Sequence, residues 1–367
     1  MDKPVRLAAP GGSGENGRNC FAVEYGEDVF LLDCGVQRDI RNGQVGFYPN
    51  LTRDFIARIK AVFLSHCHED HSAALPLLYE MGYRGKVYAS SETAARTPAF
   101  ISKWIDFVMR NHGTLPFAPE RAANIQFETL PLGNSSAAGI QLCTGRSGHV
   151  LGGIWFHFRF GNKKIAYSGD MVTDPFLLAW DPVPESDAAI LNCAHAGQKI
   201  NSGEQFAALN KSIGETLSRG GMLLLPLPPA GRGSDLYAYL STHAAGLPLF
   251  VEQNIIDNYQ ELTGKTGWIK PGGPVQPKTR VVPVANQTQR ETALASGTGI
   301  YLAGDGMLST ADSQCCFELL KGKKENKIII TGHAAEGTIA AGILNPVFRV
   351  EQGVSCETEK IIFKAHL

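Results

Sequence analysis

Three histidines and one aspartate fall within six residues in Ser65-His66-Cys67-His68-Glu69-Asp70-His71, directly after the apolar run Ala61 to Leu64. An apolar run of that length reads as a buried strand, so the cluster sits at a strand end. In extended chain, residues two apart project to one side, which lets His66, His68 and Asp70 converge while a turn at Asp70 brings in His71. Imidazole nitrogens beside a hard carboxylate suit zinc, and four such groups supply ligands for two adjacent ions. A lone histidine on an apolar face is ordinarily a hydrogen-bonded core residue. Four potential ligands this close together read as a metal cage.

Two further candidates lie at later strand ends: His149 in Ser147-Gly148-His149-Val150-Leu151-Gly152-Gly153, and Asp170 in Tyr167-Ser168-Gly169-Asp170. Small neighbours there allow the backbone to approach an ion closely. By itself each is weak, since a strand-end aspartate is usually a turn or cap residue.

The scaffold around these residues reads as mixed α and β. Cys20 to Tyr25 and Asp28 to Asp33 form a predicted hairpin across Gly26-Glu27. Ile154, Phe156, Phe158 and Phe160 alternate with Trp155, His157 and Arg159, and Gly161-Asn162 then turns into Lys164 to Tyr167. Ala73 to Met81 is helical in composition. After Ser202 the rhythm changes: Phe206, Leu209, Ile213 and Leu217 are helically spaced, and strand-then-helix units follow. Met222 to Leu225, Pro248 to Glu252, Arg280 to Val284, Gly299 to Leu302 and Lys327 to Ile330 read as strands of a parallel sheet covered by helices. The nearest linker-like stretch is Lys270 to Lys278.

At 367 residues, two domains are expected, and a 44% hydrophobic fraction with a net charge of -1 argues against disorder. The same near-neutral charge argues against a surface coated for nucleic acid, so an anionic substrate must be met by a local site. No apolar run is long enough to span a membrane, and eight scattered cysteines without a CxxC pair read as reduced thiols. No membrane partner and a cytoplasmic location are therefore expected.

His66, His68, Asp70 and His71, then His149, then Asp170, with Leu32-Asp33-Cys34-Gly35 upstream, resemble the successive motifs of the metallo-β-lactamase fold. The second half is similar to the β-CASP branch of nucleic-acid hydrolases, which includes ribonuclease J and the nuclease subunit of the cleavage and polyadenylation specificity factor. The matching stretches are Pro226 to Leu236 with Ala230-Gly231-Arg232, Gly299 to Met307, and Thr331-Gly332-His333-Ala334-Ala335-Glu336-Gly337-Thr338. Gly11 to Asn19 is similar to the start of that branch as well.

The resemblance implies an αββα sandwich carrying an inserted β-CASP domain, with residues 1–201 in the first, 202–350 in the insert and 351–367 returning to the first. It implies two zinc ions, one held by His66, His68 and His149, the other by Asp70 and His71, with Asp170 bridging. A water activated between them would attack phosphorus, and Asp70 and His366 carry the catalytic roles, His366 as general acid. The expected substrate is single-stranded RNA, with a homodimer or an RNA-processing complex as the setting.

The sequence departs from that pattern in two places. The branch's acidic residue before the insert is replaced by Asn192 or Cys193, and the chain ends one residue after His366, short of the family's last zinc histidine. The second site is therefore expected to be incomplete, unless His195 or a partner contributes. Two other functions use the same residues: hydrolysis of small thioesters or esters, and a catalytically weakened scaffold subunit. The glycines of Gly12 to Gly17 fit a nucleotide loop in spacing but lead into a strand, which suits a loop beneath the active site instead. His112, His157, His243 and His333 are read as structural. The run Lys321 to Lys327 reads mainly as a solvated helix end, with some capacity for RNA contact.

Overall fold

The computed structural model describes residues 3–364 and 366, apart from 195, 196, 198, 199, 245, 274 and 275. Two compact units emerge. The first comprises residues up to Thr173 together with Trp180–Asn192, and the second comprises Asp174–Ala179 with the chain from Cys193 onward.

The first unit contains β1 (Val5–Gly11), β2 (Cys20–Tyr25), β3 (Asp28–Leu32), the small hairpin β4 (Gln37–Arg41) and β5 (Gln44–Phe47), β6 (Ile59–Phe63), β7 (Lys86–Ala89), β8 (Gln126–Thr129), β9 (Gly133–Ala137), β10 (Ile140–Arg146), β11 (Ile154–Phe160), β12 (Lys163–Tyr167) and β13 (Ala188–Ile190). They form a six-stranded sheet in the order β1-β2-β3-β6-β7-β8 and a five-stranded sheet in the order β13-β12-β11-β10-β9. The hairpins expected at β2/β3 and β11/β12 are both present and antiparallel.

Period-two alternation decides which side chains join the two sheets. Phe30 and Phe63 of the first meet Phe156, Phe158 and Phe160 of the second, with ring centroids 4.8–5.6 Å apart. All five are essentially buried, and removing each from water is worth about 1.5–3 kcal/mol. The other face of the first sheet, with Val29, Leu31, Val62 and Leu64, packs on helices through Leu75, Leu78, Trp104 and Val108. The long helix Ser91–Arg110 starts where Ser90 accepts the Thr93 N–H, as an N-cap should.

In the second unit, β14 (Met222–Pro226), β15 (Leu249–Glu252), β16 (Val281–Val284), β17 (Gly299–Ala303), β18 (Lys327–Ile330) and β19 (Glu357–Lys360) form one sheet in the order β16-β15-β17-β14-β18-β19. Every pair in it is parallel. All five residues of β14 are buried, as expected of a parallel strand covered on both faces.

Three stretches singled out in the sequence take these places in the structure. The linker-like stretch opens at Lys270, whose N–H donates to the Leu177 carbonyl beside the Leu178–Ile269 bridge, all within the second unit, while residues 274 and 275 lie outside the described residues. The stretch after residue 350, read as returning to the first domain, contributes β19 as an edge strand of the second sheet. Lys327 is no RNA-facing lysine: it is buried in β18, with Glu359 at 2.9 Å and Glu357 at 3.5 Å. The eight cysteines are all free, and no helix among the described residues is long and apolar enough to cross a membrane.

Candidate metal centre

Strand β6 ends at Phe63, and the chain continues through Ser65 and His66 into a short helical turn, Glu69–Ser72. That turn alters the expected geometry. His68 stands at its N-cap with extended backbone, whereas Asp70 and His71 ride on the turn itself. Asp70 therefore diverges from His66 and His68, because helical periodicity replaces the alternation of a strand.

Two groups of potential ligand atoms result, each with its members within 4.8 Å of one another: His66, His68, His149 and Asp170, and Asp70, His71 and Asp170. In the first, His66 Nε2 lies 3.0 Å and His149 Nε2 3.3 Å from His68 Nδ1. Asp170 Oδ2 lies 3.5 Å from His149 Nε2 and 3.8 Å from His66 Nε2. Four atoms about 2.0–2.1 Å from a common tetrahedral centre would be about 3.3 Å apart, so these spacings fit one ion. In the second, His71 Nε2 is 3.3 Å from Asp170 Oδ1 and 3.6 Å from Asp70 Oδ2. Asp170 thus turns one carboxylate oxygen to each group. Nitrogen and carboxylate donors of this kind suit a divalent transition metal.

Supporting residues aim these side chains. Asp33 is fully buried and accepts from the Ser65 N–H at 2.6 Å and hydroxyl at 2.7 Å, from the Tyr167 hydroxyl, and from His71 Nδ1 at 2.6 Å. With Nδ1–H committed to Asp33, the lone pair of His71 Nε2 faces the cluster, the arrangement typical of a metal-binding histidine. The Ser65 hydroxyl gives its proton to Asp33 and so accepts from His66 Nδ1 at 3.1 Å, which turns His66 Nε2 inward too. At the turn before Asp170, Gly169 has φ +51, and a Cβ there would fall 2.5 Å from Ser65 Cβ. Only glycine allows that approach. The glycines around His149 act likewise on neighbouring chain rather than on an ion: a Cβ on Gly152 would meet the Thr93 nitrogen at 2.7 Å.

Burial, reinforced by the neighbouring His71 and His68, holds His66 well below the usual imidazole range, so it is neutral and able to ligate. For His71 burial works in the same direction, but the carboxylates of Asp170, Asp70 and Asp33 outweigh it and push the ring well above that range. A buried site that stabilises a proton among three carboxylates also favours a bound cation.

The loop from Gly12 to Asn19 reaches this turn through Asn19. The Asn19 N–H donates to the Asp70 carbonyl, and the Asn19 amide nitrogen lies 3.0 Å from His71 Nε2. Asn192, at the position read as replacing the branch's acid, donates to Asp170 Oδ1 at 2.6 Å. Cys193 is exposed and opens the longer segment of the second unit, while His195 lies outside the described residues. His366 follows β19 in the second unit, away in sequence from every other candidate. An acid directly after the apolar strand β3 is the sequence signal for the Asp33 role; nothing in the local sequence marks Asn19. His157 donates or accepts at the Glu185 carbonyl, and His243 stacks on Tyr239, in keeping with structural roles.

Residues 29–200 match the model of the beta-lactamase superfamily domain. Among similar proteins, the transcription termination factor FttA of a Lokiarchaeum species is 24% identical over 93% of this chain and 57% of its own length. Integrator complex subunit 11 of Danio rerio is 26% identical over 99% of this chain and 65% of its own. The RNase J-like protein of Methanocaldococcus jannaschii is 25% identical over 99% and 87%. The chain thus spans a little over half the length of the FttA proteins it matches. A crystal structure of a protein of unknown function from Enterococcus faecalis superposes with a TM-score of 0.56 at 14% identity, covering 99% of this chain and 88% of that one, which speaks to fold alone. Motifs, fold and these matches together place residues 29–200 in the beta-lactamase superfamily domain and make the whole chain similar to the nucleases of the β-CASP branch that its sequence resembles.

Proposed function

We propose that the chain is a zinc-dependent hydrolase that cleaves phosphodiester bonds of single-stranded RNA. The observation that carries this reading is the single carboxylate of Asp170 turned toward two sets of ligand atoms at once. His66, His68, His149 and Asp170 would hold one zinc, and Asp70, His71 and Asp170 a second. When bound, such a pair supplies Lewis acidity that lowers the pKa of a water molecule and takes up the charge developing on phosphate oxygens.

The chain's own residues do the rest. Asp33 fixes the His71 ring, Ser65 fixes His66, and Asn192 holds the bridging carboxylate. Asp70 is the most solvent-accessible of the site carboxylates, its side chain 40% exposed. His366 is assigned, on resemblance, the protonation of the leaving oxygen. The names of the relatives, which include an RNase J-like protein and an endoribonuclease YSH1 from Kluyveromyces lactis, support RNA as the substrate.

Metal content per chain, measured beside cleavage of single-stranded RNA, tests the reading. Two zincs and RNA cleavage abolished by Asp70→Ala or His68→Ala are expected. Cleavage indifferent to both substitutions would refute it, and a chain purified without chelator yet free of zinc would instead be a scaffold subunit.

A further inference from the structure

The helix Ser91–Arg110 buries Thr93, Thr97, Ile101, Trp104 and Val108, which recur at the spacings of an inward-facing stripe. Beside that stripe runs a second row: Arg96, Phe100, Lys103, Phe107 and Arg110, at successive spacings of four and three. Residues so spaced are neighbours along one helix face. A solvated face calls for charges without phenylalanines, and a core face for phenylalanines without charges. This row alternates the two.

The row passes the metal centre at Phe100, whose ring lies 5.3 Å from that of His68, tilted by 55°. Lys103 Nζ lies 4.7 Å from the Phe100 centroid, and the Arg38 guanidinium, brought in by β4, lies 4.3 Å from that of Phe107. Arg38 also pairs at 3.2 Å with Glu69, the first residue of the turn that carries Asp70 and His71. Phe100 and Phe107 are half-buried, while Lys103 and Arg110 are exposed. The helix's two acids, Glu92 and Asp106, stand outside the stretch of this row from Phe100 to Arg110. Between the two rings the helix advances about 10 Å, so rings and cations form a strip leading away from His68.

Cations set between flat apolar rings match a polyanion that presents flat rings of its own. A single-stranded nucleic acid does so, its phosphates taking the cations and its unpaired bases stacking on the rings. A duplex hides its base faces, and an acidic peptide carries no such series of rings. Exposed cation–π contacts are weak, so Lys103 and Arg38 can turn to phosphates and uncover the phenylalanines. In a chain of net charge -1, a local row of this kind is where a polyanion meets attraction.

We propose that Phe100, Lys103, Phe107 and Arg110, together with Arg38, form a track that binds a single RNA strand beside the metal centre. That the strand is cut at its His68 end rests on the nuclease reading. The binding itself does not.

The test follows binding of a labelled single-stranded oligoribonucleotide to the whole protein by fluorescence anisotropy, over a series of salt concentrations. Wild type is compared with Lys103→Gln combined with Arg110→Gln, with Lys103→Arg combined with Arg110→Lys, and with Phe107→Leu. Removing both charges should weaken binding and flatten the plot of log affinity against log salt by about 0.7 per cation. The pair that keeps its charges should bind as wild type does, and both pairs should melt as wild type, since the two side chains are exposed. Phe107→Leu should weaken binding about fivefold or more with the salt slope unchanged. If that variant melts low, the charge variants decide the matter.

A small chromogenic phosphodiester engages the metal centre without reaching along the helix, so its turnover should be equal in all four proteins. RNA binding weakened in the charge-removed variant, with neither RNA nor the small ester cleaved by wild type, would keep the track and remove the nuclease reading. RNA affinities and salt slopes identical in wild type and every variant would overturn the track, whatever cleavage shows. Polyglutamate that binds as tightly as RNA of equal charge, and is indifferent to Phe107→Leu, would overturn it in favour of an acidic protein partner.

Discussion

Gly35 has no room for a methyl group. A Cβ built there falls 1.7 Å from the Asp70 carbonyl oxygen, 2.0 Å from its carbon and 2.5 Å from the His71 nitrogen. Opening the shortest of these to 3.0 Å, below which real Cβ contacts are essentially never seen, takes a displacement of at least 1.3 Å. The turn cannot yield locally, because Cys34 donates to the His71 carbonyl at 2.8 Å and Val36 to the Glu69 carbonyl at 3.1 Å.

Metal–ligand distances tolerate only about 0.2 Å, so Gly35→Ala moves Asp70 and His71 several times too far. His149 and Asp170 hang from other strand ends and stay. Overpacking of this kind costs about 1–3 kcal/mol, which in a chain of 367 residues lowers the melting temperature by roughly 1–2 °C per kcal/mol. Metal analysis of the purified variant is expected to find one zinc in place of two, with RNA cleavage lost. Gly214→Ala is the control, being in a helix with nothing within 4 Å of the added atom. Gly35→Ala that retains two zincs and wild-type melting would refute the reasoning.

Asp33→Asn replaces an acceptor with a donor facing His71, Ser65 and Tyr167. Zinc affinity, measured by chelator competition, should fall about 10–100-fold, and unfolding should be easier by about 1–3 kcal/mol; an unchanged affinity would mean Asp33 does not orient the ligand. For pH dependence, burial raises the Asp305 carboxyl, but the N–H groups of Met307, Thr310 and Ser309 and the Ser313 hydroxyl outweigh it and bring it below its ordinary 3.8. The unfolded chain then takes up the proton first, so this stabilisation is complete above that value and lost as pH falls through the folded one. The stability gap between wild type and Asp305→Ala, followed by urea unfolding, should close at acid pH; a gap that widens on acidification contradicts the sign.

Much of the centre is legible in local order. The spacing of His66, His68, Asp70 and His71 after an apolar run announces a metal loop, and the alternation from Ile154 to Phe160 announces a strand facing a core, because both signals live within a few residues. The grouping of the ligands is a different matter. Strand periodicity aligned Asp70 with His66 and His68, and a single helical turn moved it to the other set.

What tertiary structure alone decided lies between residues distant in the chain. Asp33 meets Tyr167 across 134 positions, and Asp170 joins the histidines only when two sheets pack face to face. Lys327 reads as one cation in a basic run, yet Glu357 and Glu359 of a neighbouring strand neutralise it. Residue type and short-range period set what chemistry each segment can offer. Which segments share it depends on strand pairing and packing, whose partners no local pattern encodes.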